Sequence, residues 1–118
     1  MQMIIDGKRV DASDRGVIRI LNPATQEFID TVPKATADDV YQAIDAAQVG
    51  KRTWANTPTH ERVRLLSRCA DAIEEHLEDL AQSLSREMGK NIQEARGEIR
   101  VSVQTIRGYA ERDPCQIL

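Results

Sequence analysis

The sequence predicts a mainly α chain with short N-terminal β-hairpins, an α+β arrangement for the chain taken by itself. Three observations predict it. β-prone runs broken by turn residues fill the region 1–33. Apolar residues recur at steps of three or four from residue 40 onward, and caps and glycine stops punctuate that second part. The expectation is one segment over 1–118, with hairpins in 1–33 and helices in 36–112.

Taken in order, Met3 to Ile5 and Lys8 to Val10 flank Asp6-Gly7, a dipeptide suited to a tight primed turn. After a polar loop from Ser13 to Gly16, Val17 to Leu21 leads into Asn22-Pro23-Ala24-Thr25, and Glu27 to Val32 resumes β-prone character. Pro33 ends the β region. Thr36 with Asp38 and Asp39 then offers a cap and two acids where a helix dipole favours them. Val40, Ala43, Ile44 and Ala47 keep a helical period, and Gly50 is the expected end or weak point.

Thr57-Pro58 reads as an N-cap followed by proline at the first helical position. Val63, Leu66, Ala70, Ile73, Leu77, Leu80, Leu84 and Met88 then form one unbroken apolar stripe, predicting a single long helix. Gly89 reads as its stop. Asn91 caps a third helix with Ile92, Ala95, Ile99, Val103, Ile106 and Ala110 on its apolar side, ended by Asp113-Pro114. Cys115 to Leu118 starts like a strand or linker.

Composition excludes several functions. Apolar residues make up 41% and charged residues 30%, the balance of an ordinary folding chain. With 16 basic and 19 acidic residues interspersed, and Phe28, Tyr41, Trp54 and Tyr109 in separate segments, nucleic acid finds neither a basic track nor a stacking platform. No membrane partner is expected either, because no apolar run approaches the roughly 20 residues a spanning helix needs. With no leader-like opening and only Cys69 and Cys115 for sulfur chemistry, a cytoplasmic address is the expectation.

The chemistry-bearing residues read plainly. Gly7, Gly16, Gly50, Gly89, Gly97 and Gly108 stand singly, so no glycine-rich turn cradles a phosphate. Of His60, His76, Cys69 and Cys115, only Cys69 and His76 fall on one helix face, which does not make a metal site. Cys69 lies beside the apolar stripe and reads as a small buried thiol; Cys115 reads as a surface thiol without a base. Glu74, Glu75, Glu78 and Asp79 form an acidic patch at mid-helix, read as a solvated face rather than as general bases. Arg62, Arg64, Arg68, Arg96, Arg100, Arg107 and Arg112 fall off the stripes, as paired surface residues or an interface would.

A resemblance adds to this reading. Ile5-Asp6-Gly7-Lys8, Leu21-Asn22-Pro23-Ala24-Thr25 with Glu27, Val32-Pro33, and Thr36 through Ala47 followed by Trp54 occur in the order found at the start of aldehyde dehydrogenases. So do His60-Glu61-Arg62 with Leu65-Leu66, Ala70-Asp71 with Ile73-Glu74, Glu87-Met88-Gly89-Lys90, Glu94-Ala95-Arg96-Gly97-Glu98 and Tyr109-Ala110. Each match is short, but their order covers residues 4–110. The chain resembles the N-terminal segment of the aldehyde dehydrogenase superfamily, and the Glu-Met-Gly-Lys and Tyr-Ala-Glu spellings most resemble its succinate-semialdehyde type.

The resemblance implies part of an α/β enzyme that oxidises an aldehyde to a carboxylic acid through a cysteine thiolate, with hydride passing to NAD or NADP. It also implies that the catalytic cysteine, glutamate and asparagine and the cofactor-binding residues lie further along the family's longer polypeptide. No catalytic or cofactor-binding residue is therefore assigned here, and neither NAD nor NADP is expected to bind this chain alone. One minor site is implied: a monovalent cation near the Asn22-Pro23 turn, with Leu21 offering its carbonyl and Glu98 its carboxylate. The competing reading pairs Glu98 with an arginine. Expected partners are the remainder of the enzyme polypeptide and further copies in a homo-oligomer. The alternative is a small stand-alone helical interaction module descended from the enzyme, its catalysis lost.

Overall fold

Asp6 and Gly7 both take left-handed backbone angles, with φ of 53° and 71°. That pair of angles is what a two-residue primed turn requires, and it joins β1 (Met3–Ile5) to β2 (Lys8–Val10) in the register Ile5↔Lys8. The computed structural model describes residues 1–111. It continues through β3 (Val17–Leu21), β4 (Phe28–Pro33), α1 (Ala37–Asn56), α2 (Thr59–Glu75), α3 (Leu77–Met88) and α4 (Ile92–Glu111). The chain is mostly helical, with two separate two-stranded antiparallel sheets, β1-β2 and β3-β4. It divides into two compact units at the boundary between Asn56 and Thr57.

In the first unit the Asn-Pro turn closes the second hairpin. The Asn22 side chain accepts from the Ala24 N–H at 2.9 Å, Gln26 takes φ 62°, and the Asn22 N–H donates to the Glu27 carbonyl at 2.9 Å. Pairing runs from Val17↔Pro33 to Leu21↔Phe28, with a bulge between Ile20 and Leu21. α1 runs through Gly50 to Asn56, so the expected weak point does not end it. An isolated helical glycine costs about 1 kcal/mol relative to alanine; the turns on either side of Gly50 carry the helix across it.

The second unit corrects the single long helix predicted for 58–88. His76 takes φ −101° and ψ 18°, outside the helical well, and divides that stretch into α2 and α3. Ile73, Leu77 and Leu80 keep their three- and four-residue steps across the break. An apolar stripe that stays in phase cannot report a one-residue bend. A further signal was misassigned: Glu78 and Asp79, read as mid-helix, occupy the first turn of α3, where acids suit the helix dipole. The start of α2 also shifts by one residue. Pro58, at ψ 147°, holds the N-cap position, and its carbonyl accepts from the Glu61 and Arg62 amides, each at 3.0 Å.

α2 and α3 both pack on α4, which at 20 residues is about 30 Å long. The contact is lined by small residues: Ala70, Ala81 and Ala95 are fully buried and Val103 and Ala110 nearly so. Small side chains let helix axes approach closely. Gly89, at φ 65°, closes α3 as expected, and the Asn91 carboxamide accepts from the Gln93 N–H at 2.7 Å to cap α4. The expected end of that helix at Asp113-Pro114 and the tail from Cys115 lie outside the described residues.

Candidate functional site

Asp39 is the one buried charged residue among those described, 5% exposed. It sits in the first turn of α1, where its carboxylate accepts from the Thr36 amide at 2.8 Å and the Thr36 hydroxyl at 2.9 Å. The Ser13 amide, at 3.2 Å, and the Ser13 hydroxyl, at 3.4 Å, donate to the same oxygen. These donors stabilise the charged form, and the backbone N–H of Thr36, then that of Ser13, hold the carboxyl below its ordinary value of 3.8. An acid so held is a weak proton acceptor. Its role is mechanical: it caps α1 and ties the Ser13 loop to it.

The acidic patch of the second unit works in a similar way. Arg96 of α4 donates to both carboxylate oxygens of Glu78, each bond 2.8 Å long. Arg107, about three turns further along the same face of α4, reaches Asp71 at 2.8 Å and Glu74 at 2.7 Å on α2. The Arg96 hydrogen bonds, followed by that from Gln82, lower the Glu78 carboxyl from 4.5 to about 2. Glu78 is therefore ionised at neutral pH and too weakly basic to take a proton from a substrate. Sequence patterning placed these acids on a solvated face and missed their pairing with α4, because partners 18 to 36 residues away leave no local signature.

Among the described residues, Cys69, His60 and His76 form no metal-holding group. Cys69 is exposed on α2, which corrects the buried thiol expected from its place beside the stripe; residues flanking a narrow seam of alanines stay outside it. His60 lies in the first turn of α2 and His76 at the α2–α3 break. Among the described residues no group of three or more His, Cys, Asp or Glu side chains could hold a metal ion. Leu21 ends β3 in the first unit; Glu98 lies on α4 in the second. Glu98 accepts from the ammonium of Lys90, so its partner is a lysine and not the arginine expected from sequence.

Among the described residues no glycine-rich turn leads from a parallel strand into a helix. The strand that runs directly into a helix, β4 into α1, does so through Lys34-Ala35-Thr36, with no glycine, and both sheets are antiparallel. The pyrophosphate fold needs a parallel strand, a glycine-rich turn and an open helix N-terminus. At α1 that N-terminus is already closed by Asp39 and Thr36.

What the chain does offer is apolar surface. Among the described residues no large side chain is fully buried. Along α1, Val40, Ile44 and Trp54 share a face and remain 48%, 48% and 42% exposed. Val17, Ile18, Leu21 and Phe28 of the second hairpin are exposed as well, as are Val101 and Tyr109 of α4. The stripes predicted for α2–α3 and α4 meet one another in part, though Leu80 and Met88 of the first stripe remain exposed. No helix among the described residues is long and apolar enough to cross a membrane.

A family pattern described as "Aldehyde dehydrogenase family" matches residues 10–115. The NADP(+) succinate-semialdehyde dehydrogenase of Escherichia coli is 36% identical over 110 residues, covering 93% of this chain and 23% of its own length. The glutarate-semialdehyde dehydrogenase of Pseudomonas aeruginosa gives the same figures: 36% over 110 residues, 93% and 23%. Among solved structures, an NAD-dependent aldehyde dehydrogenase from Sinorhizobium meliloti superposes with a TM-score of 0.89 at 38% identity, covering 92% of this chain and 22% of that one. An NADP-dependent enzyme of E. coli gives 0.91 at 35%, with 93% and 23% covered. The chain thus spans about 23% of the length of the curated relatives it matches.

Proposed function

Since the chain belongs to the aldehyde dehydrogenase family, we propose that it supplies the N-terminal scaffold of an NAD(P)-dependent enzyme that oxidises an aldehyde to a carboxylic acid. The observation that carries the scaffold role is the character of its groups. The carboxylates of Asp39, Asp71, Glu74, Glu78 and Glu98 are committed to a cap, an arginine or a lysine, while Val40, Ile44, Trp54 and the second hairpin stand uncovered. Polar groups bound up in structure, beside apolar faces left open, suit a body that packs against a larger partner. The partner in this reading is the remainder of the enzyme polypeptide, assembled as a homo-oligomer.

The succinate-semialdehyde dehydrogenases among the relatives support a short aldehyde that carries a carboxylate as the whole enzyme's substrate. Hydride would pass to NAD or NADP, held by residues outside those described here. Leu21 and Glu98 stay assigned to a monovalent-cation site of the whole enzyme in the same reading; the Glu98 carboxylate accepts from Lys90, which a cation on Glu98 would have to displace.

The test is a comparison of two samples, each mixed with NAD or NADP and succinate semialdehyde and followed by absorbance of the reduced cofactor. Residues 1–118 alone should give no turnover. The same residues joined to whatever the gene encodes after Leu118 should give it. Turnover by the 118 residues alone would overturn the site assignment. A stop codon directly after Leu118 would favour the stand-alone interaction module.

A further inference from the structure

We draw no further inference here: the strongest candidate, the exposed apolar face of α1 formed by Val40, Ile44 and Trp54, carries nothing because no feature of the structure shows what covers it.

Discussion

Glu78 and Arg96 are joined at two points across α3 and α4, the Arg96 Nε to one carboxylate oxygen and its Nη2 to the other, each at 2.8 Å. Planar, two-point pairing of this kind depends on the guanidinium fork, which a lysine cannot reproduce. Because the folded carboxyl sits at about 2 against an ordinary 4.5, the pair's contribution is fully present above 4.5 and is lost as pH falls toward 2. Glu78→Gln should therefore lower the melting temperature at pH 7 and make little difference near pH 2. Thermal melts followed by circular dichroism across that range check it, and an undiminished difference at pH 2 would remove the pair from the account. Both side chains are partly solvated, so added salt should shrink the effect.

Asp39 gives a second pH-dependent contribution, of the same sign and in the first unit. Its carboxyl is held below 3.8 by the Thr36 and Ser13 amides, so its stabilisation is present above that value and disappears as pH falls below it. Asp39→Ala removes the acceptor for four donors and should loosen the Ser13 loop along with the start of α1. Hydrogen exchange at the Ser13 and Thr36 amides reports this directly. Unchanged protection at both would show that the carboxylate does not tie them.

The alanine seam predicts a contrast in size tolerance. Ala95→Leu places extra carbons where the helix contact leaves no space and should cost about 1–3 kcal/mol in urea unfolding. Val101→Leu, on the same helix at a 60% exposed position, should stay within about 0.5 kcal/mol of the parent. Equal effects would mean that α4 does not present its alanines to α2 and α3.

Two glycines should respond in opposite directions. Gly89 lies at φ 65°, where a Cβ is strained, so Gly89→Ala should destabilise by about 1–2 kcal/mol. Gly50 lies inside α1 with open space where a Cβ would stand, so Gly50→Ala should stabilise by about 0.4–1 kcal/mol. Denaturant melts of the two variants read the signs, and a destabilising Gly50→Ala would contradict the continuity of α1.

The elements legible in the sequence were those governed by neighbours in the chain. Asp6-Gly7 needs only its own backbone angles to make a turn, Gly89 only its freedom at positive φ, and Asn91 only an amide two residues on. The break at His76 was not legible because apolar phase carries across it and no proline or glycine marks it. Asp39 was read as a dipole partner, which it is, but its grip on Ser13 spans 26 residues and leaves no local trace. Exposure of Cys69 was missed for a related reason: a seam made of alanines is narrower than the stripe of larger residues beside it. For chemistry, order along the chain carried more than any single residue. The short matches across residues 4–110 pointed to the family that the pattern over 10–115 identifies.

In the proposed scaffold role, the apolar faces of α1 and the second hairpin are covered by a larger body. Sedimentation velocity of the 118-residue chain at micromolar concentration tests it most directly. With Val40, Ile44, Trp54 and Phe28 exposed, the chain should sediment as a dimer or larger species. A single sharp monomer boundary, unchanged as concentration rises, would contradict it.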